Sequence, residues 1–304
     1  TRENLGWPHA PFEIPAGVLG AWRKVGGRGA TVRRNWEGRL QKSRKKKEFK
    51  RLIQGDLPKG WQDVLNDHKK AISAEAPGWA TRKASGEALA VLTGLIPEMI
   101  GGSADLTGSV NTKTPDTEPV SAGNFKGRYI HYGVREHAMA AAMNGMALHG
   151  GLIPYAGTFL IFTDYMRGAM RLSALMNQGV VYVLTHDSIG LGEDGPTHQA
   201  VETLASLRAI PNFHVYRPCD GVETAECWAL ALERRDGPAA MALTRQDVPT
   251  PPVQHSDANL SAPRPYILAQ TPGAERPPPR LPPPSVAWLP PRALPHPPPR
   301  RIHT

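Results

Sequence analysis

Val180-Val-Tyr-Val-Leu-Thr185 runs directly into His186-Asp-Ser-Ile-Gly-Leu-Gly-Glu-Asp-Gly-Pro-Thr-His198-Gln199. The first six residues are continuously apolar or β-branched, the pattern of a strand buried on both faces. Ala200-Val-Glu-Thr-Leu-Ala-Ser-Leu-Arg208 follows with helical apolar spacing, so a helix is expected over 200–209. The loop between them leaves the carboxyl end of a buried strand, where open α/β sheets place their ligands. It holds two histidines, three acids and three glycines in fourteen residues. Gly190, Gly192 and Gly195 permit turns that would let those polar side chains converge. A plain hydrophilic surface turn is the competing reading, and a loop of this length argues for function.

Outward from this centre the same alternation recurs. Arg82–Leu95 reads as a helix, Glu98–Asp105 as a strand entering a turn, and the polar residues 107–127 as a long surface loop. Arg128-Tyr-Ile-His-Tyr-Gly133 is a short strand, Glu136–Leu148 a helix closed by Gly150-Gly151, and Leu152-Ile-Pro-Tyr155 another strand. Thr158–Met176 has the spacing of a long amphipathic helix. A strand at Phe213–Tyr216, a helix Val222–Glu233 capped by Asp220, and a strand at Pro238–Arg245 complete the series. Strand–helix alternation with short connections predicts an α/β fold, a parallel sheet between two layers of helices.

The ends have a different texture. Leu5 to Pro15 is a proline-punctuated apolar stretch expected to lie extended along a domain surface. Between Arg23 and Arg51, thirteen Lys and Arg face only Glu37 and Glu48, so the net charge of +9 is concentrated in one segment. Trp36, Leu40, Phe49, Leu52 and Ile53 give it an apolar stripe, the mark of a solvated helical linker. Nucleic-acid binding is the sharper alternative, but no aromatic platform or recognised motif accompanies the charge. No run is long enough to span a bilayer, so no membrane partner is expected. Cys219 and Cys227 suggest neither a metal site nor a disulfide framework, and a reducing, cytoplasmic setting is the expectation. From Pro272 the chain reads PGAERPPPRLPPPSVAWLPPRALPHPPPRRIHT, which cannot form helix or sheet interior. A disordered proline-rich tail and a shifted reading frame of a GC-rich gene both account for it.

Gly133-Val-Arg-Glu-His137, Thr158-Phe-Leu-Ile-Phe162 and the 186–199 loop together resemble transketolase, with similarity running from residue 3 to about residue 270. The resemblance implies three parts. Residues 1–75 are the end of a diphosphate-binding domain with its basic linker. Residues 76–250 are a pyrimidine-binding α/β domain of the thiamine-diphosphate-binding fold. Residues 251–304 are the tail, standing where the family has its C-terminal domain. The implied reaction is reversible transfer of a two-carbon ketol unit between sugar phosphates, with thiamine diphosphate as cofactor. Magnesium, or calcium, would be bound by the domain preceding this chain. The family's site lies between two subunits, so a homodimer is implied for the full-length protein, and a chain of this extent is expected to be inactive alone.

The resemblance also assigns residues. Glu136 matches the catalytic glutamate that drives the cofactor's aminopyrimidine toward its basic imino form. Such an acid must hold its proton near neutral pH, which burial favours; the alternative for Glu136 is a carboxylate favoured by a helix N-terminus. Phe162 is implied to stack on the aminopyrimidine, with Phe159 and Tyr165 lining the same pocket; spaced by three, they read as one side of a helix, where core packing is the alternative. Arg82, Ser109, His186 and Arg245 match phosphate-binding positions, Asp194 the acid that reads a substrate hydroxyl, and His198 the histidine at the donor carbonyl. Asp105 is implied at the cofactor or the subunit interface. Without the resemblance Arg82 and Arg245 pass as ordinary surface cations. Competing readings are a dihydroxyacetone synthase, a deoxyxylulose-phosphate synthase or ketoacid dehydrogenase subunit, and a non-catalytic basic, proline-rich binding protein. Pentose-phosphate and carbon-fixation roles both stay open.

Overall fold

A computed structural model describes residues 1–251 and 255–262. The expectations for the proline-rich segment from Pro272 lie outside the described residues. In chain order the elements are α1 (Ala16–Lys42), α2 (Lys46–Gln54), α3 (Trp61–Glu75), α4 (Thr81–Leu95), β1 (Met99–Ser103), α5 (Thr107–Val110), β2 (Tyr129–His131) and α6 (Glu136–His149). They continue with β3 (Ile153–Phe159), α7 (Thr163–Leu175), β4 (Val181–Thr185), α8 (Thr203–Arg208), β5 (His214–Tyr216), α9 (Gly221–Glu233) and β6 (Ala239–Leu243).

The chain divides into two compact units, Thr1–Arg51 and the remainder from Leu52. In the first, the basic segment is helical as expected, with no buried residue in α1. Its Arg33–Glu37 pair at 2.8 Å is the i,i+4 contact of an exposed helix. Before it the stretch is not extended: the chain turns repeatedly before entering α1 at Ala16, with Leu5 and Phe12 exposed and Trp7 edge-on to His9.

The second unit is built on a six-stranded sheet in the order β2-β1-β3-β4-β6-β5, every pairing parallel. β4 is central, and Thr185 aligns with Phe159 of β3 and Leu243 of β6, so three strands end flush. Side chains alternate across the sheet. Val181 and Val183 pack with α3, α4 and α9, while Tyr182 and Leu184 pack with α6, α7 and α8. α3 thus contributes Trp61 and Leu65 to the sheet core, although its sequence falls in the segment assigned to the linker up to residue 75. Residues 255–262, beyond the domain end expected at 250, also pack back. Glu226 accepts from the amide and hydroxyl of Ser261 at 2.9 and 2.8 Å and pairs with buried Lys69 at 2.8 Å.

Three expectations are corrected. The helix expected over 158–176 begins only at Thr163: Thr158 and Phe159 complete β3, and Leu160–Phe162 forms a 3-10 turn. A strand that runs directly into a helix keeps apolar residues at both periods, which is why the spacing misread its end. Residues 107–127 are not a surface loop throughout. Thr112, Thr114 and Thr117 are buried, with Thr112 Oγ1 2.8 Å from Tyr129 Oη and Thr93 Oγ1 2.8 Å from Thr114 Oγ1. Tyr155 donates to Thr112 O at 3.0 Å, and Arg128 donates to Thr93 O at 3.0 Å and Asp116 O at 2.8 Å. A polar stretch can be buried when its hydroxyls satisfy one another. Gly101 makes room for this network: a Cβ there would lie 2.5 Å from Tyr155 Oη. The helix expected over 200–209 is shorter, Thr203–Arg208, and Asp220 caps α9 as expected, accepting from Glu223 N at 2.8 Å.

Candidate active site

The sheet order reverses between β1 and β3, which places a crevice beyond the carboxyl ends of the strands. Residues assigned from the sequence gather along that edge. Asp105 and Ser109 follow β1, Glu136 follows β2, Phe159 and Phe162 end β3 and its turn, His186, Asp194 and His198 follow β4, and Arg245 follows β6. Arg82 arrives differently, on the first turn of α4. A reciprocal clamp holds it there: Thr81 N donates to Thr244 Oγ1 at 2.9 Å, and Thr244 N donates to Thr81 Oγ1 at 2.7 Å. Ala80 N adds a bond to Asp247 Oδ1 at 2.9 Å. The clamp joins two Thr-Arg pairs, Thr81-Arg82 and Thr244-Arg245, across 163 residues.

Arg82 then donates through Nη1 to Ser109 O at 2.9 Å, linking α4 to α5. Burial, followed by the nearby charge of Arg245, lowers the Arg82 guanidinium pKa. Two guanidinium groups held this close repel one another, and a shared anion would relieve the repulsion. Arg245 Nη2 meets Glu193 Oε1 at 3.2 Å, an exposed pair that holds it weakly.

His186 is buried and sits in the left-handed region, at φ 59°. Its ring stacks on Phe159 with centroids 3.7 Å apart, and Nδ1 lies 2.9 Å from Thr185 Oγ1. Burial first, then the charge of Arg82, pushes its pKa down to about 4, with Asp194 opposing. The imidazole is therefore neutral at neutral pH. Asp187 fixes the root of the loop: its carboxylate, fully buried, accepts from Arg217 Nε at 2.6 Å, while Oδ1 has no hydrogen-bond partner among the described residues. Beyond this root the loop is exposed at Glu193 and Asp194.

Phe159, Phe162 and Tyr165 do not share one side of a helix; they lie on a strand end, a 3-10 turn and α7 respectively. Their rings still form a series. Phe159 stacks on Phe162 with centroids 5.6 Å apart and planes at 10°, and Phe162 meets the mostly exposed Tyr165 at 5.9 Å. His198 closes the group edge-on, 5.4 Å from Phe162 and 5.9 Å from Phe159, its Nδ1 2.8 Å from Thr197 Oγ1.

The structure thus brings together Arg82, Ser109, Phe159, Phe162, Tyr165, His186, Asp194, His198 and Arg245. Glu136 and Asp105 stand at the ends of neighbouring strands β2 and β1 and make no hydrogen bond or ring contact with that group among the described residues. Glu136 opens α6 and is buried. Asp105 is exposed with φ 62°. Thr81, Thr185, Asp187, Arg217 and Thr244 were not singled out from the sequence. Thr81 and Thr244 each precede an arginine, but so does Thr1, so the dipeptide did not mark them, and the partnership of Asp187 with Arg217 had no signal either.

A flat heterocycle fits this group on one count: Phe162 is only part-buried, with one stacking partner supplied by Phe159 and a buried carboxyl nearby in the strand order. Among the described residues no group of three or more His, Cys, Asp or Glu is arranged to hold a metal ion. No helix among them is long and apolar enough to cross a membrane, and Cys219 and Cys227 are free thiols.

The family model for the pyrimidine binding domain of transketolase matches residues 78–251. The transketolase of Sinorhizobium medicae is 56% identical over 273 residues, covering 90% of this chain and 39% of that protein. That of Rhodobacter capsulatus is 55% identical over 276 residues, covering 90% of this chain and 41% of that protein. The chain therefore spans about two fifths of the length of these relatives. Among solved structures, transketolase from Leishmania mexicana superposes with a TM-score of 0.74 at 41% identity, covering 81% of this chain and 37% of that one. Transketolase from Pichia stipitis in complex with sedoheptulose 7-phosphate gives a TM-score of 0.74 at 40% identity, covering 82% and 38%.

Proposed function

The chain belongs to the transketolase family through its pyrimidine-binding domain, and from that premise we propose that it forms the pyrimidine- and phosphate-facing half of a site for two-carbon ketol transfer between sugar phosphates. The observation that carries this reading is the approach of Arg82, Arg245 and neutral His186 to one another beside the Phe159–Phe162 stack.

In this reading Arg82 and Arg245 bind the substrate phosphate, each able to offer paired N–H donors. Ser109, on the short helix that Arg82 anchors, and His186 add neutral donors. Asp194 accepts a hydrogen bond from a substrate hydroxyl, and His198 faces the donor carbonyl. Phe162 stacks on the aminopyrimidine of thiamine diphosphate, with Phe159 behind it and Tyr165 at the rim. Glu136 holds a proton against the ring nitrogen. The cofactor, when bound, supplies the carbon nucleophile that carries the two-carbon unit. When bound, its diphosphate and a magnesium or calcium ion would be held by residues other than those of this site, in a homodimer whose second subunit would complete it. Asp105 contributes at that boundary.

The test is complementation. The chain is mixed with the N-terminal part of the Sinorhizobium medicae transketolase that it does not span, together with thiamine diphosphate, magnesium and xylulose 5-phosphate with ribose 5-phosphate. Formation of sedoheptulose 7-phosphate that is abolished by Glu136→Gln supports the reading. Failure of the chain to bind inorganic phosphate, or activity indifferent to Glu136, defeats it.

A further inference from the structure

Thr185 is the last residue of β4 and completely buried. Its hydroxyl has one hydrogen-bond partner among the described residues, Nδ1 of His186 at 2.9 Å. The imidazole is further restrained by its stacking on Phe159 at 3.7 Å and by a backbone at φ 59°. Nε2 makes no hydrogen bond among the described residues and is the nitrogen left for a ligand.

A neutral imidazole carries its proton on one nitrogen, chosen by the hydrogen bond the other makes. Burial and the charge of Arg82 keep this ring neutral, so there is one N–H to place. Two arrangements are open. With the proton on Nδ1, Thr185 would accept, its own hydroxyl hydrogen would be buried without an acceptor, and Nε2 would turn a lone pair toward an anion. With the proton on Nε2, Thr185 donates to Nδ1 and both groups are satisfied. Leaving a buried donor unmade is the more costly choice.

We infer that Thr185 is a positioning residue whose hydroxyl donates to Nδ1 of His186, so that Nε2–H is presented as a neutral donor to a phosphate oxygen. The role rests on the phosphate-site reading given above. It explains why a hydroxyl stands at the end of an otherwise apolar strand. It also makes His186 a donor that adds no third positive charge beside Arg82 and Arg245.

The experiment uses the full chain, 15N-labelled, with ring nitrogens of His186 assigned by comparison with His186→Asn. In the parent chain at pH 7.5, Nδ1 should resonate as the unprotonated nitrogen and Nε2 as the protonated one, and inorganic phosphate should shift Nε2. Thr185→Val keeps the branched shape but should move the ring to mixed tautomers and weaken phosphate binding by about fivefold or more. Thr185→Ser should restore both. An unchanged ring spectrum in Thr185→Val, or a parent ring protonated on Nδ1, overturns the inference about Thr185 alone. A parent Nε2 that phosphate leaves unmoved overturns the phosphate-site reading itself, and the role of Thr185 with it.

Discussion

The loops 107–127 and 186–199 leave the same edge of the same sheet, and both are long, polar and rich in small residues, yet they are built in opposite ways. The first turns its hydroxyls inward: Thr112, Thr114 and Thr117 are buried and tied to Tyr129, Tyr155, Thr93 and one another, while Arg128 holds the Asp116 carbonyl. The second is buried at its root, through His186 and the Asp187–Arg217 pair, and returns to the protein at Leu191 and His198, while Glu193 and Asp194 between them are exposed. One loop is scaffold that carries Ser109 to Arg82; the other holds its outer charges only through the exposed Glu193–Arg245 contact at 3.2 Å. Polarity alone therefore does not mark a functional loop. What distinguishes the two is whether the polar groups already have partners inside the protein.

The contrast can be broken most forcefully at the anion end. Replacing both Arg82 and Arg245 by Met should lower affinity for inorganic phosphate on the order of a hundredfold, since charge-assisted hydrogen bonds are lost at two groups. The thermal midpoint should move little, and phosphate titration with thermal unfolding checks both. Asp187→Ala, at the root of the recognition loop, leaves Arg217 without its buried partner. It should cost about 2–4 kcal/mol in urea unfolding and weaken phosphate binding as well, because His186 loses its fixed neighbour.

Thr112→Val sharpens the comparison from the scaffold side. It should cost about 1–2 kcal/mol of stability while leaving phosphate affinity within about twofold. Equal losses of stability and affinity would mean that the 107–127 loop is part of the binding apparatus.

The smallest effect is the pH dependence. His186 has its folded pKa pushed down to about 4, below the ordinary imidazole value of 6.5 that it takes in the unfolded chain, so between these values the unfolded chain binds more protons. Stability should therefore fall as pH drops from 6.5 toward 4 and be unaffected by this group above 6.5. His186→Asn should flatten that slope in denaturant midpoints measured at pH 5 and pH 7.5. It should not abolish the slope, because burial also lowers His68 and His214.

Much of this architecture was legible in the chain. The continuous apolar run at 180–185 specified a strand buried on both faces, and alternating strand and helix patterns specified the parallel sheet, since each period dictates which faces must be covered. Asp220 announced its cap, and the 186–199 motif announced the family. Boundaries were less legible where one pattern runs into another, as at Phe159, whose spacing to Phe162 and Tyr165 reads as a helix although three different backbone conformations carry the rings. The polar stretch from Thr107 looked solvated because the hydroxyls that satisfy it come from Thr93 of α4, Tyr129 of β2 and Tyr155 of β3.

Sequence by itself thus determined the secondary-structure periods, the sheet class and the family motif, because these depend on residue order over short spans. Tertiary structure alone decided which charges meet. Thr81 and Thr244 lie 163 residues apart and are joined only because α4 and β6 end at the same edge of the sheet. That closure sets Arg82 beside Arg245 and His186, the approach on which the proposed phosphate site rests.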